Sequence, residues 1–319
     1  MLLCAVLLCT PALADTLAAG GIPLGISMHT EGVMVAGFTA VETENGSVSP
    51  AEDAGLAVGD IITKLGGDSI ATAADFTNAA KRLTGEKISV TVLRNEKLRQ
   101  FSITPAKDAQ GAYKLGLWLR DGISGVGTLT FYDPVSGVYG ALGHSISDDE
   151  TGLILPLHDG CICGAEIVDI IPGEAGAPGA LSGCADEAQL LGDIEINCVS
   201  GIFGTADMPA GELMETADIA EGKALIRCTL DGSGVQEYEI EVQKVERTDM
   251  GTAAVICVTD EELLALTGGI VQGMSGSPII QNGCLVGAVT HVFVNDPTSG
   301  YGISIYDMLA AAEQTQKAA

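Results

Sequence analysis

Short apolar runs broken by glycine-rich or polar turns recur along this chain. Gly32-Val33-Met34-Val35-Ala36-Gly37-Phe38 has the length and composition of a strand. Ile88-Ser89-Val90-Thr91-Val92-Leu93 and Gly127-Thr128-Leu129-Thr130-Phe131-Tyr132 alternate with the two-residue period of half-buried strands. Residues 224–230 and 235–242 flank Asp231-Gly232-Ser233-Gly234 and predict a hairpin. Helical spacing is confined to short stretches. In residues 72–83, Ala73, Phe76, Ala79, Ala80 and Leu83 fall on one face. The pattern predicts a mainly β protein with few helices.

Residues 105–111, Pro-Ala-Lys-Asp-Ala-Gln-Gly, are polar and turn-forming. They divide a small unit, 20–107, from a larger one, 112–319. A chain of 319 residues is long enough for two domains. Its hydrophobic content of 47% supports real cores, and 42 glycines with only 4% aromatics suit strands and turns. The formal charge of −27 argues against nucleic acid, because phosphate binding needs clustered lysine and arginine. It disfavours docking on an anionic membrane surface for the same reason.

Residues 1–14 carry no charged side chain and end in Ala12-Leu13-Ala14, so they read as an export-signal core with a cleavage site. The expected location is therefore outside the cytoplasmic membrane, with membrane association left open. Several of the nine cysteines sit inside apolar runs and read as small buried hydrophobes rather than a disulfide framework. Cys161-x-Cys163 has no second pair at zinc spacing, so neither a metal nor another cofactor is expected.

The strongest chemical signal is Gly273-Met274-Ser275-Gly276-Ser277-Pro278, followed by Ile279-Ile280, Asn282-Gly283 and Leu285-Val286-Gly287-Ala288-Val289. Asn-Gly between apolar runs signals a hairpin. Ser275 would sit at the tip of a glycine-rich loop, where converging backbone N–H groups can stabilise an oxyanion. The same cluster also suits an ordinary turn. Ser277, just before Pro278, is the rival nucleophile.

A serine hydroxyl needs a base, and histidine titrates in the right range. The chain has four: His29, His144, His158 and His291. His29 belongs to the smaller unit, and His158 sits in a polar turn. His144 ends an apolar run among small residues, whereas His291 follows directly on the Ser275 hairpin. Both remain candidates on the residues alone.

Ala54-Gly55-Leu56-Ala57-Val58-Gly59-Asp60-Ile61-Ile62 resembles the A-G-L-x-x-G-D-x-I core of PDZ domains. The resemblance implies peptide binding near Pro23, with Leu24, Gly25 and Ile26 capturing a C-terminal carboxylate and the ligand adding as a strand.

The segments 140–144, 268–283 and 290–302 resemble the SpoIVB peptidase family, exported sporulation serine proteases with a PDZ domain and a trypsin-like catalytic domain. The resemblance implies a small PDZ domain followed by a chymotrypsin-like β-barrel peptidase domain. It implies His144 as base, Ser275 as nucleophile and Asp260 as the acidic member, with Gly273 and Ser275 N–H groups as oxyanion hole. Thr259-Asp260-Glu261-Glu262 also reads as a helix start, and Asp148, Asp149 and Asp159 are other acidic candidates. The family further implies intercompartmental signalling during sporulation, in the intermembrane space of a developing spore. There, cleavage of a membrane-bound regulator would be the role, with self-cleavage possible. The PDZ ligand would be a partner or the chain's own tail. An inactive PDZ scaffold and an HtrA-like quality-control protease are the alternatives; the latter normally carries its PDZ domain after the protease.

Overall fold

The computed structural model describes residues 16–95, 97–148, 152–248 and 251–315. The signal-like segment 1–14 lies outside the described residues. The chain divides into two compact units. One comprises Met28–Ile123 with Ser147–Asp159. The other gathers the residues up to Ser27, Ser124–Ile146 and everything from Gly160 onward.

In the smaller unit, strand Ile61–Leu65 pairs antiparallel with the Val33–Met34 segment on one side and with Ile88–Arg94 on the other. Ile88–Arg94 then pairs with Lys97–Ile103. Helix α1, Pro50–Asp53, starts with proline, whose missing N–H costs nothing at a first turn. Helix α2, Ala73–Ala80, starts with a capping box. The N–H of Asp75 donates to the Thr72 hydroxyl, and the Asp75 carboxylate accepts from the Thr72 N–H.

The alternating apolar positions face one core of Val33, Val35, Ile62, Leu65, Val90, Val92 and Ile103, closed by Ala79 and Leu83. Asp60 is fully buried in the Gly-Asp turn. It survives there because Arg94 meets it through two bonds, 2.5 and 2.6 Å, and the Ala57 N–H donates at 2.9 Å.

The larger unit holds a closed six-stranded barrel. Its strands run Gly222–Cys228, Gln236–Thr248, Gly251–Val258, Asp296–Ser304, Cys284–Phe293 and Pro278–Gln281, the last closing onto the first through Leu225–Ile226. The two predicted hairpins are both barrel hairpins, and Asn282 takes φ of +52° at the tip of the second. Ile226, Ile240, Ile256, Met274, Ile279 and Val289 fill the interior.

Helix α3, Glu261–Thr267, leads into the Ser275 loop, and α4, Ile305–Ala312, packs Ile305 and Met308 against Phe131, Phe203 and Leu285. A second strand group in this unit pairs Ile196–Cys198 with Gly201–Thr205, that strand with Val138–Ala141, and the latter with Leu129–Tyr132. The expected mainly β class, with a PDZ domain and a β-barrel peptidase domain, is what the structure shows. The seven described cysteines are all unbridged.

Candidate active site

Three segments of the larger unit converge around Ser275. The first is the loop itself, held from an adjacent strand. The Thr128 hydroxyl donates to Gly273 O and the Thr130 hydroxyl to Gly276 O, each at 2.8 Å. The Thr128 N–H donates to Ser275 O at 3.0 Å. Both threonines are buried, so these bonds act where water does not compete. The loop is thereby fixed at the carbonyls on both sides of Ser275.

The second segment is Leu142-Gly143-His144. Leu142 has φ of +69°, a conformation that branched side chains seldom adopt. Such strain persists only where the surroundings impose it, and it often marks a working site. Here the Leu142 N–H donates to Thr128 O, and Gly276 lies directly against Leu142. A Cβ on Gly276 would stand 2.1 Å from Thr128 O and 2.5 Å from the Leu142 nitrogen, and the residue has φ of +94°. Only glycine lets the two segments come this close. Beyond His144, the Asn197 amide clamps Ile146 by accepting from its N–H and donating to its carbonyl, both at 2.8 Å.

The third segment is Thr290-His291. The Ser275 hydroxyl donates to Thr290 O at 2.7 Å, and the His291 ring stacks on His144 with centroids 4.5 Å apart. The two histidines that competed for the role of base therefore lie side by side.

His144 Nδ1 lies 2.8 Å from Ser145 O. A carbonyl can only accept, so Nδ1 carries the proton and Nε2 keeps its lone pair. Burial lowers the His144 pKa below 6.5, and the bond to Ser145 opposes this in part. His291 is lowered by burial and then by the charge of His144.

The N–H groups along the loop divide cleanly. Met274 donates to Val271 O, Gly276 to Val289 O and Ser277 to Met274 O. Those of Gly273 and Ser275 meet no acceptor among the described residues. Ser275 is half-buried, whereas Ser277 is fully buried with an unpartnered hydroxyl, which removes the rival from the surface.

The structure does not bring Asp260 to His144. It is the N-cap of α3: its Oδ1 accepts from the Glu262 and Leu263 N–H groups, both at 3.0 Å, and its Oδ2 from the Glu239 N–H at 3.2 Å. In place of a carboxylate, the Ser145 carbonyl holds the imidazole. Of the other acids, Asp148 pairs with Arg120 at 3.0 Å and Asp159 with His29 at 2.9 Å, all four in the smaller unit. Asp149 lies outside the described residues.

Leu24, Gly25 and Ile26 are not an exposed loop. They lie within strand Pro23–Phe38, and Leu24 and Ile26 are buried. A Cβ on Gly25 would sit 2.6 Å from Cys163 Sγ and from Ala185 Cβ. Their burial is that of a strand packed on both faces rather than of an exposed loop.

A barrel bearing the glycine-rich Ser275 loop, in a chain that also carries a PDZ domain, belongs to the class of serine endopeptidases. Comparison with known proteins gives the family. The model of SpoIVB peptidase S55 matches residues 111–309, and a PDZ-domain model matches 21–104. The chain belongs to the SpoIVB peptidase S55 family.

Among curated proteins, the zinc metalloprotease RasP of Shouchella clausii (strain KSM-K16) is 35% identical over 83 residues, which are 26% of this chain and 19% of that protein. The chain thus spans about a fifth of that relative. The PDZ domain of an SdrC-like protein from Listeria monocytogenes is 25% identical, covering 28% of this chain and 87% of that one, with a TM-score of 0.23. The active form of the Rv3671c protease from M. tuberculosis is 13% identical over 60% of this chain and 74% of its own, with a TM-score of 0.34. The HtrA-type protease AlgW with a decapeptide is 12% identical over 66% and 55%, also with a TM-score of 0.34.

Proposed function

We propose that this chain hydrolyses peptide bonds with Ser275 as nucleophile and His144 as general base. The observation that carries the reading is the pair of unpartnered N–H groups, Gly273 and Ser275, in the loop that presents the half-buried Ser275. The Ser275 oxygen attacks the scissile carbonyl carbon as its proton passes to His144 Nε2. The carbonyl π pair moves onto oxygen, and the two N–H groups take that charge, worth about 3–4 kcal/mol per donor in comparable sites. His144 then returns the proton to the leaving nitrogen as the C–N bond breaks. Water, deprotonated by the same imidazole, releases the acid and restores Ser275.

In the free structure the serine proton points to Thr290 O. On this reading, substrate entry turns the hydroxyl away from Thr290 O and toward His144. Free enzymes often show such loose pairing.

The family supports a finer reading. The substrate would be a membrane-bound regulatory protein outside the cytoplasmic membrane of a developing spore, and its cleavage a step of intercompartmental signalling. Self-cleavage would accompany it. Family membership is the support for each of these.

The test is intact-mass measurement of the purified chain, alone and with denatured casein, comparing wild type with Ser275→Ala. Fragments in the wild type only are expected. Equal fragmentation in Ser275→Ala would overturn the assignment.

A further inference from the structure

The imidazole of His144 leans on a peptide group. Its Nδ1–H donates to Ser145 O at 2.8 Å. The other end of that same peptide unit is the Ile146 N–H, which donates to Asn197 Oδ1, also at 2.8 Å. Imidazole, peptide and side-chain amide thus stand in line. The Asn197 amide cannot be turned over, because its Nδ2 donates to Ile146 O at 2.8 Å. A flipped amide would set donor against donor and acceptor against acceptor.

The sheet explains why Asn197 reaches this peptide. Ala141, the last residue of strand Val138–Ala141, lies opposite Ile202, and Ile202 lies opposite Asn197. Ala141 and Asn197 therefore share a row, two strand spacings apart, or roughly 9–10 Å. Leu142 and Gly143, both with φ of +69°, turn the chain out of that row. Asn197 catches it again at Ile146. Gly201 lies against the arch between these anchors: a Cβ there would stand 2.6 Å from Ala141 O and 3.3 Å from the Gly143 nitrogen. His144 thus rides on a short arch pinned at both ends, and Asn197 is the far pin.

Such a line does more than hold geometry. A peptide group is conjugated, and an acceptor on its N–H pushes electron density onto its oxygen. A more negative Ser145 O is a better partner for a ring about to become positive. Hydrogen bonds to charged groups are roughly twice as strong as neutral ones. The gain therefore falls in the transition state, where the imidazole holds the serine proton, rather than in the resting enzyme.

We propose that Asn197 is the positioning residue that stands in for a triad acid, acting on His144 through the Ser145–Ile146 peptide. It fixes the tautomer with Nδ1 protonated and Nε2 free. It strengthens Ser145 O as an acceptor while the imidazolium forms. No proton crosses the peptide: the Nδ1 proton stays on the ring, and only electron density shifts. The catalytic sense of the relay rests on Ser275 and His144 as nucleophile and base; its geometry does not.

Two readouts on the full chain test the relay. One is the rate at which a fluorophosphonate probe labels Ser275, followed by intact mass with Ser275→Ala as the blank. The other is the proton NMR signal of His144 Nδ1–H, assigned by its absence in His144→Ala. Asn197→Ala removes both bonds. At equal folded fraction it should slow labelling by about tenfold or more and move the Nδ1 signal upfield. Asn197→Asp keeps an acceptor for the Ile146 N–H and gives up the donor. It should hold the signal downfield and label faster than Asn197→Ala. An unchanged Nδ1 signal in Asn197→Ala, or an upfield shift in Asn197→Asp, would overturn the relay at any labelling rate. So would Asn197→Asp labelling no faster than Asn197→Ala, since the donor to Ile146 O would then be the working part and the role one of loop packing. A wild type that takes no label at Ser275 strikes the nucleophile and with it the catalytic sense of the relay, while the Nδ1 signal separately decides whether the relay exists.

Discussion

The imidazoles of His144 and His291 stack at 4.5 Å between centroids with planes tilted by 36°. Two rings so close do not both accept a proton readily, because like charges at this range oppose each other. Burial already holds both below the ordinary 6.5. A base works when neutral, so a lowered pKa extends activity to lower pH.

The expected kcat/KM profile is therefore flat down through pH 6.5, with its acid limb below that value. The same shift has a stability sign. Between the folded and unfolded pKa values the unfolded chain binds more protons, so this contribution is complete above about 6.5 and is lost as pH falls further. His291→Ala admits water to His144 and should move the limb up toward 6.5. A wild-type limb at pH 7 or above would sink this reading.

Thr130 and Thr128 hold the loop carbonyls on either side of Ser275. Thr130→Val keeps the shape of the side chain and leaves Gly276 O without that donor. The expected cost is about 1–3 kcal/mol in urea unfolding. With Ser275 in its proposed role, the bond positions the nucleophile, so kcat of the folded fraction should fall while KM changes little. A variant that lost stability but kept its full kcat would show Thr130 to be structural only.

Gly276→Ala combines a left-handed backbone with a Cβ driven into two backbone atoms. The conformational part alone costs about 1–2 kcal/mol. Neither Thr128 O nor the Leu142 nitrogen can swing aside as a side chain would, so the segments must part. Activity should drop by more than the loss of folded protein accounts for, measured as kcat against circular dichroism on the same sample.

Legibility from the residues followed the range of the interactions. The Ser275 loop and its hairpin were readable because Asn282-Gly283 and the flanking glycines act through local backbone geometry. His144 and His291 could not be separated on the residues alone, and in the structure their rings stack on one another. Asp260 misled because Thr-Asp-Glu-Glu describes a helix cap as well as a catalytic acid, and only the packing of α3 decides between them. Leu24–Ile26 misled in the same way: an apolar run before a strand fits an open loop or a buried strand equally. Thr128, Thr130 and Asn197 left no signal. Their bonds reach residues 145, 146 and 51 positions away, and strand threonines are common.

The Asp260 cap is separable from chemistry by two substitutions. Asp260→Ala removes three acceptor contacts and should lower stability by about 1 kcal/mol. Asp260→Asn retains an acceptor oxygen and should stay within a few tenths of the wild type. Comparing kcat/KM of the two at equal folded fraction then isolates the charge. Loss in Asp260→Asn without loss of stability would reveal an orienting role acquired only with substrate bound.

In the PDZ domain the decisive pair is Arg94 and Asp60. Asp60 is fully buried, and Arg94 spans it with both Nε and a terminal nitrogen while lying 5.0 Å over the Phe101 ring. The pair raises the Arg94 pKa further, so no accessible pH releases it from that side. Arg94→Met preserves bulk on Phe101 but strands a carboxylate in the core, at an expected cost of about 3–5 kcal/mol. Arg94→Lys restores the charge without the two-pronged fit and should recover only part of it. The double variant Arg94→Met, Asp60→Asn removes the uncompensated charge and should regain most of the loss, since an amide still accepts from the Ala57 N–H. Chemical denaturation of the four proteins gives the coupling directly. A double variant no more stable than Arg94→Met would mean that lost packing, rather than a stranded charge, sets the penalty.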